Sequence, residues 1–185
     1  MVDNLQQVIS SNMHELALLA SRKGSGKDIV EICGGHARAS QVAVRRHLRT
    51  GPNFGLITMI DLTEKRHQED TMKYISDHDV FVVVMAPVCG PFGPLGQLNK
   101  HINPESWQRS YEEVAPLAAP LAKICGRVAM TQLHMGRHFI QEQPHPSKFY
   151  DEHPWPHVLS TGGVVQQTDD RCTCGLKVTR GQYKG

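Results

Sequence analysis

No apolar run in this chain approaches the length of a membrane span, so the sequence excludes a spanning helix. Its first residues, Met1-Val2-Asp3-Asn4-Leu5-Gln6-Gln7, lack the apolar stretch of a secretory leader. Charge of one sign is lacking too. The net charge is +2 over 185 residues, too small for the global balance to argue for nucleic acid or a membrane surface. An even cysteine count is also missing: there are five, in a chain long enough to build a core without staples. That count speaks against a disulfide framework and for reduced thiols in an intracellular protein, nuclear or cytoplasmic. The sequence has no internal repeat and no low-complexity segment. A phosphate-binding loop is absent as well. Gly24-Ser25-Gly26-Lys27 lacks the required spacing, and Asp28 stands where Ser or Thr is needed, so the fragment reads as a solvated turn.

What remains is an ordinary globular composition, with 39% apolar and 21% charged residues. The length fits one domain. The most informative stretch is residues 77–94. Val80, Phe81, Val82, Val83, Val84 and Met85 form an unbroken, β-branched apolar run, which predicts a strand buried on both faces in a parallel sheet. Pro87, Gly90, Pro91, Gly93 and Pro94 then stop it, predicting a stiff loop from the strand's carboxyl end, continuing over residues 96–103. Open α/β sheets bind ligands at that edge. Cys89 sits in the loop. A free cysteine is most often a small buried hydrophobe; in a rigid loop it also reads as a nucleophile.

Residues 5–20 carry apolar side chains at helical spacing, among them Leu5, Val8, Ile9, Met13 and Leu16, and predict an amphipathic helix. Residues 28–33 read as a strand, Gly34-Gly35 as a tight turn, and residues 37–49 as a helix burying Ala39, Val42, Ala43 and Leu48. This is the start of a βαβ unit, in which glycines let a ligand approach the backbone. Arg38, Arg45, Arg46, His47 and Arg49 make the helix basic, chiefly as a solvated face. Residues 56–60 read as a second strand ending on Asp61. An acid there accepts ribose hydroxyls, or else caps the next helix, expected over residues 63–75. Asn103-Pro104 opens a helical stretch towards Gly136 that Pro116 and Pro120 should kink or split. Residues 138–141 read as a strand ending at Glu142, residues 145–157 as loop, and Val164-Val165 as one more strand. Cys172-Thr173-Cys174 is too close-spaced for the usual zinc knuckle; two reduced thiols are expected, with a zinc site borrowing His153 or His157 as the alternative.

Strands alternating with helices predict a parallel α/β sheet. Gly34-Gly35 with Asp61, Cys89, and Glu142 would then stand at carboxyl ends of different strands and converge on one edge. In this order the residues resemble the catalytic domain of the C5-cytosine DNA methyltransferases, over roughly residues 28–145. Glu31-Ile32-Cys33-Gly34-Gly35 is similar to the family's glycine-rich cofactor turn, without its aromatic residue. Residues 77–92 resemble the strand and Pro-Cys-Gln motif, with Val88 and Gly90 replacing proline and glutamine. Phe139-Ile140-Gln141-Glu142-Gln143-Pro144 looks like a variant of the Glu-Asn-Val motif.

The resemblance implies a Rossmann-like, S-adenosylmethionine-dependent methyltransferase fold with a mostly parallel sheet, lacking a target-recognition domain. It implies a core over residues 28–145, preceded by a helix and turn (1–27) and followed by a loop-rich extension of the same domain (146–185). It implies S-adenosyl-L-methionine held by Glu31, Gly34, Gly35, Asp61, Asp79 and Pro87, with Cys89 as nucleophile and Glu142 as the acid supporting the base. DNA is the implied partner, weakly bound in isolation, and the rest of a longer retroelement-type polyprotein is another; no membrane is implied. Two rivals stay open: a catalytically inactive binding module of the same fold, and a cysteine hydrolase pairing Cys89 with His134 or His138.

Overall fold

The computed structural model describes residues 26–169. The expected helix over residues 5–20 and the Cys172/Cys174 pair lie outside them. Four strands, β1 (Ile29–Ile32), β2 (Thr50–Phe54), β3 (Val82–Met85) and β4 (His138–Gln141), form one sheet of order β2-β1-β3-β4, and every pairing is parallel. Helices α1 (Arg38–Arg45), α2 (Lys65–Asp77), α3 (Pro94–Ile102), α4 (Pro104–His134) and α5 (Trp155–Ser160) connect and flank them. The fold is α/β. None of the described helices is long and apolar enough to cross a membrane.

The strand order reverses between β1 and β3, because the chain steps from β1 outwards to β2 and then back across to β3. A sheet built this way opens a crevice at the carboxyl ends of the two strands beside the reversal. The loops after β1 and β3 flank it, and these carry Gly34-Gly35 and Cys89.

The register aligns Val30 with Val83 and Ile32 with Met85, and Val83 and Met85 with Phe139 and Gln141. These side chains share one face. Val30, Ile32, Val83 and Met85 are fully buried there with Ile75 of α2 and Ala118, Ala122, Ile124, Cys125, Val128 and Ala129 of α4 in one hydrophobic core. Small residues on α4 let that helix lie close to the sheet. Gln132, also fully buried, donates its side-chain amide to the carbonyls of Val80 (3.1 Å), Phe81 (3.3 Å) and His138 (2.8 Å), tying α4 to the amino ends of β3 and β4. At the amino ends of β1 and β2, buried Asp28 accepts the Arg49 backbone N–H (2.8 Å) and pairs with its guanidinium (Nη2, 2.6 Å). Arg49 is thus an internal tie and not part of a basic face, whereas Arg38, Arg45, Arg46 and His47 are exposed or half-buried with no acidic partner in the salt bridges of the described residues.

Several expectations need correction. The second strand is Thr50–Phe54; Leu56–Thr58 is a 3-10 turn, with Leu56, Ile57 and Met59 largely exposed. Residues 96–103 are not loop. Pro94 occupies the first turn of α3, where its missing N–H costs nothing. Helix α4 runs unbroken through Pro116 and Pro120. The two carbonyls deprived of donors belong to Glu112, which is exposed, and Pro116, so water can take up the first at least. Residues 145–157 hold a 3-10 turn (Lys148–Asp151) and the start of α5, and Phe149, Trp155 and Val158 belong to the central core. Val164-Val165 is not a strand. Of the four residues expected inside on the helix after β1, Ala43 is buried and Val42 is exposed. Finally, β3 alternates, with Val83 and Met85 buried and Val82 and Val84 half-buried, rather than being enclosed on both faces.

Candidate functional site

The turn after β1 is built around Glu31. The residue is 2% exposed, and its carboxylate accepts the backbone N–H of Ser40 in the first turn of α1. No side chain caps α1 from its own Ncap residue, Ala37, so Glu31 does this from the strand below. A helix N-terminus carries partial positive charge and is a ready anion site. Here the protein's own carboxylate takes up the Ser40 N–H. Glu31, expected on the cofactor, holds the turn after β1 against α1.

The two glycines differ. A Cβ on Gly34 would overlap the Glu31 carboxylate and come within 2.9 Å of Glu31 Cβ, so Gly34 is required by Glu31. Gly35 has φ +54° and nothing within 4 Å of where a Cβ would stand, so it faces open space in the left-handed conformation. Asn53 on β2 brackets both: its Oδ1 accepts Gly34 N–H (3.1 Å) and its Nδ2 donates to Gly35 O (2.8 Å). Gly34→Ala should therefore break the Glu31 cap and cost about 1–2 kcal/mol, seen as a lower urea midpoint. Gly35→Asn, which tolerates positive φ, should leave the midpoint nearly unchanged.

Cys33, also at positive φ (55°), precedes the turn, and burial pushes its thiol up to about 11 from an ordinary 9.0. The sign follows from linkage: between these values the unfolded chain has lost a proton that the folded chain keeps, so stability falls as pH rises. Urea stabilities at pH 8 and pH 10.5 should show a loss that Cys33→Ala reduces by about 2 kcal/mol; the remainder belongs to fully buried Cys125, whose thiol is raised in the same direction by burial.

Asp61 lies between the 3-10 turn after β2 and α2, not at a strand tip. Its Oδ1 accepts from the Thr63 N–H (2.9 Å) and hydroxyl (2.7 Å), bonds that lower its pKa and keep it ionised. That is the local-turn reading of this acid; an ionised carboxylate at the carboxyl edge also suits ribose hydroxyls. Asp79 is elsewhere. It precedes β3 at φ 53° and pairs with Arg137, which precedes β4, so it stands at the amino edge of the sheet. The expectation that it joins the cofactor site is corrected.

The loops after β3 and β4 meet. Glu142 N–H donates to Met85 O (3.0 Å), extending the ladder, and Gln143 Nε2 donates to the carbonyl of buried Pro87 (3.0 Å). Pro87 is thereby a strut between the two loops. The carbonyl of half-buried Cys89 accepts from Phe92 N–H (3.0 Å) and Gly93 N–H (2.9 Å), so the thiol is carried on a closed turn immediately before α3. Cys89 and Glu142 line the same cavity of about 710 Å³, with Gln143, His145, Tyr150 and Trp155 on its wall. Burial, and then the Glu142 charge, raise the Tyr150 pKa, so its phenol stays protonated as a hydrogen-bond donor. Gly34, Gly35 and Asp61 lie outside this cavity. His134 and His138 sit at the amino end of β4, where His138 aligns with Val82. His138 lines the same cavity as Cys89, towards its other end, whereas His134 closes α4 outside that lining. His145, Tyr150 and Trp155 escape a reading of residues 145–157 as loop; Trp155-Pro156, a proline in a first helical turn, is the signal for α5.

The chain matches no protein family, no curated protein and no solved structure.

Proposed function

We propose that this chain is a Rossmann-like, S-adenosyl-L-methionine-binding, methyltransferase-like domain in which Cys89 and Glu142 act on a cytosine base extruded from a nucleic acid. The observation that carries the reading is the placing of Cys89 and Glu142 at the carboxyl ends of adjacent parallel strands, on the wall of one cavity. The strand reversal beside it supports a cofactor crevice between the β1 and β3 loops. In the turn after β1, Glu31 fixes the start of α1 and Gly35 leaves space against the backbone for a ligand. In this reading Gly34, Gly35 and Asp61 hold the cofactor and Pro87 fixes the loop. S-adenosyl-L-methionine, when bound, supplies an electrophilic methyl group.

The remaining chemistry belongs to the chain. The Cys89 thiolate adds to C6 of cytosine, and the Glu142 carboxyl hydrogen-bonds N3, so electron density builds at C5. After methylation, a water molecule takes the C5 proton, the C5–H electrons re-form the C5–C6 double bond, and the Cys89 thiolate leaves C6, restoring the aromatic ring. The base must first leave its stack, so single strands are the favoured substrate. Arg38 and Arg45 on α1, with Arg46 just after it, supply modest backbone attraction.

Calorimetry with S-adenosyl-L-methionine tests the cofactor half of the proposal. Binding that Gly35→Asn weakens at least tenfold supports it, and absence of binding overturns it. A 5-fluorocytosine single strand tests the chemistry, because fluorine at C5 cannot leave as a cation and the adduct persists. A cofactor-dependent adduct supports the enzyme. Cofactor binding with no adduct favours the second reading, a non-catalytic module, which the replacements at Val88 and Gly90 favour.

A further inference from the structure

The two edges of the sheet are built differently. β2 ends it on one side with Thr50-Gly51-Pro52-Asn53-Phe54, and its pairing with β1 slips between Ile29 and Glu31. A proline and an irregular register keep an edge strand from recruiting another strand. β4, His138-Phe139-Ile140-Gln141, ends the other side with an unbroken register and holds neither proline nor lysine. His138 N–H donates to Phe81 O (2.9 Å) and Glu142 N–H to Met85 O (3.0 Å), so the even-numbered residues of this stretch turn their backbone towards β3. The residues between them turn theirs the other way. Phe139 and Gln141 therefore present backbone N–H and C=O outwards, and among the described residues neither N–H makes a hydrogen bond.

This edge looks into a slot. The cavity of about 710 Å³ runs along it, with Phe139 and Gln141 on one wall and residues 163–169 on the other. Among the described residues no hydrogen bond ties that second wall to β4; Val164 N–H turns back to Thr161 O (3.3 Å) and Gln167 Nε2 donates to Asp169 (2.9 Å). Leu133, Phe139 and Leu159 line the slot with apolar surface, and Ile140 adds more from the opposite face of the sheet. Inside it, Gln141 Oε1 is buried without a donor, and an occupant carrying an N–H would satisfy it. We propose that the slot takes an extended segment of a partner polypeptide, which adds to β4 as a fifth strand. The edge selects this occupant. Phe139 and Gln141 offer donor and acceptor pairs about 7 Å apart, the two-residue repeat of an extended peptide. A nucleic-acid backbone has no N–H to answer them. Apolar lining on both faces suits apolar side chains at alternate positions. A second copy of this chain fits worse, because its own residues 163–169 stand beside its β4 and would meet this wall before the edges paired. β4 is about 13 Å long and holds four or five residues of the partner. Cys89 and Glu142 lie towards the carboxyl end of the same cavity, so strand and base occupy different stretches of it.

The test uses the full 185-residue chain, isotope-labelled for NMR, at a concentration where light scattering reports a monomer. In the free chain, amide exchange should be at least tenfold faster at Phe139 and Gln141 than at Ile140, whose N–H the β3 ladder holds. The probe is the tightest binder from a display library of random decapeptides, made synthetically. It should slow exchange at Phe139 and Gln141 at least tenfold. N-methylation of its alternate residues that face β4 should weaken binding at least tenfold, and N-methylation of the residues between them less than threefold. Gln141→Pro, which removes an outward donor and leaves the β3 ladder intact, should weaken the peptide at least tenfold; Gln141→Ala, which keeps that donor, should cost less. If Gln141→Pro lowers the urea midpoint sharply, the N-methyl alternation decides. Slow exchange at Phe139 and Gln141 in the free monomer overturns the proposal, because the chain then fills its own slot. Protection that appears only as concentration rises overturns it in favour of a second copy. A selection that yields no binder, or binders that leave those amides fast or show no alternation, overturns it outright.

Discussion

Cys89→Ser is expected to abolish the covalent adduct with a 5-fluorocytosine strand, while S-adenosyl-L-methionine affinity stays within about twofold. The separation follows from the architecture. Cys89 rides on the closed turn after β3 and faces the β4 side, lining the cavity with Glu142. The open backbone at Gly35 belongs to a different loop, bracketed by Asn53 from β2. A serine hydroxyl keeps the shape of the turn but is far less ionised than a thiol at neutral pH. Glu142→Gln should slow adduct formation by about 10²–10⁴-fold, the usual range for a positioned acid or base, without eliminating it. The same substitution should lower the Tyr150 pKa, because the Glu142 charge helps raise it. Spectrophotometric titration of the phenols would show that shift. A Glu142→Gln protein with unchanged adduct rate and a shifted tyrosine would leave Glu142 in the cavity but outside the chemistry.

The fold is legible in the sequence where local pattern and tertiary role agree. Runs such as Ile29-Val30-Glu31-Ile32 and Val82-Val83-Val84-Met85 are strands, because β-branched residues suit a covered sheet. The second strand shows the opposite case. Leu56-Ile57-Thr58-Met59-Ile60 has the apolar pattern, yet the strand is Thr50-Gly51-Pro52-Asn53-Phe54. Edge position resolves the conflict: β2 ends the sheet, so Pro52 has no second ladder to serve. Gly51 is needed because a Cβ there would come within 2.5 Å of Val30 Cγ2 and 3.1 Å of the Tyr74 hydroxyl. Neither condition shows in a propensity. Asp79 illustrates the same limit at the site. Its place beside a strand is plain in the sequence, but only the structure puts it at the amino edge with Arg137. Cys89 and Glu142 are legible because each closely follows a strand that parallel topology sends to the same edge. The cavity wall is not, since it depends on how residues 143–155 fold back over β4.

Trp155 closes that wall, and Trp155→Ala should destabilise the fold more than Gly34→Ala does. The side chain is fully buried, with ring centroids 5.3 Å from Phe149, 5.4 Å from Tyr150 and 6.2 Å from Phe139. Its indole N–H donates to Ala122 O on α4 (2.9 Å). Helix α4 makes room with Gly126, where a Cβ would stand 3.3 Å from the indole nitrogen and 2.5 Å from Pro154 Cδ. Removing a buried tryptophan from such a setting costs about 3–5 kcal/mol, which a urea midpoint would report. Trp155→Phe keeps most of the ring packing and loses one neutral hydrogen bond, a cost of about 1 kcal/mol. The two variants also separate stability from chemistry. Tyr150 packs directly on Trp155, and both line the cavity that holds Cys89 and Glu142. Trp155→Phe should therefore fold, bind S-adenosyl-L-methionine normally and form the adduct more slowly, because the ring that Tyr150 packs against loses its anchor to Ala122 O. If Trp155→Phe instead forms the adduct at the parent rate, the tyrosine wall is structural and the reaction depends on the β3 and β4 loop ends alone.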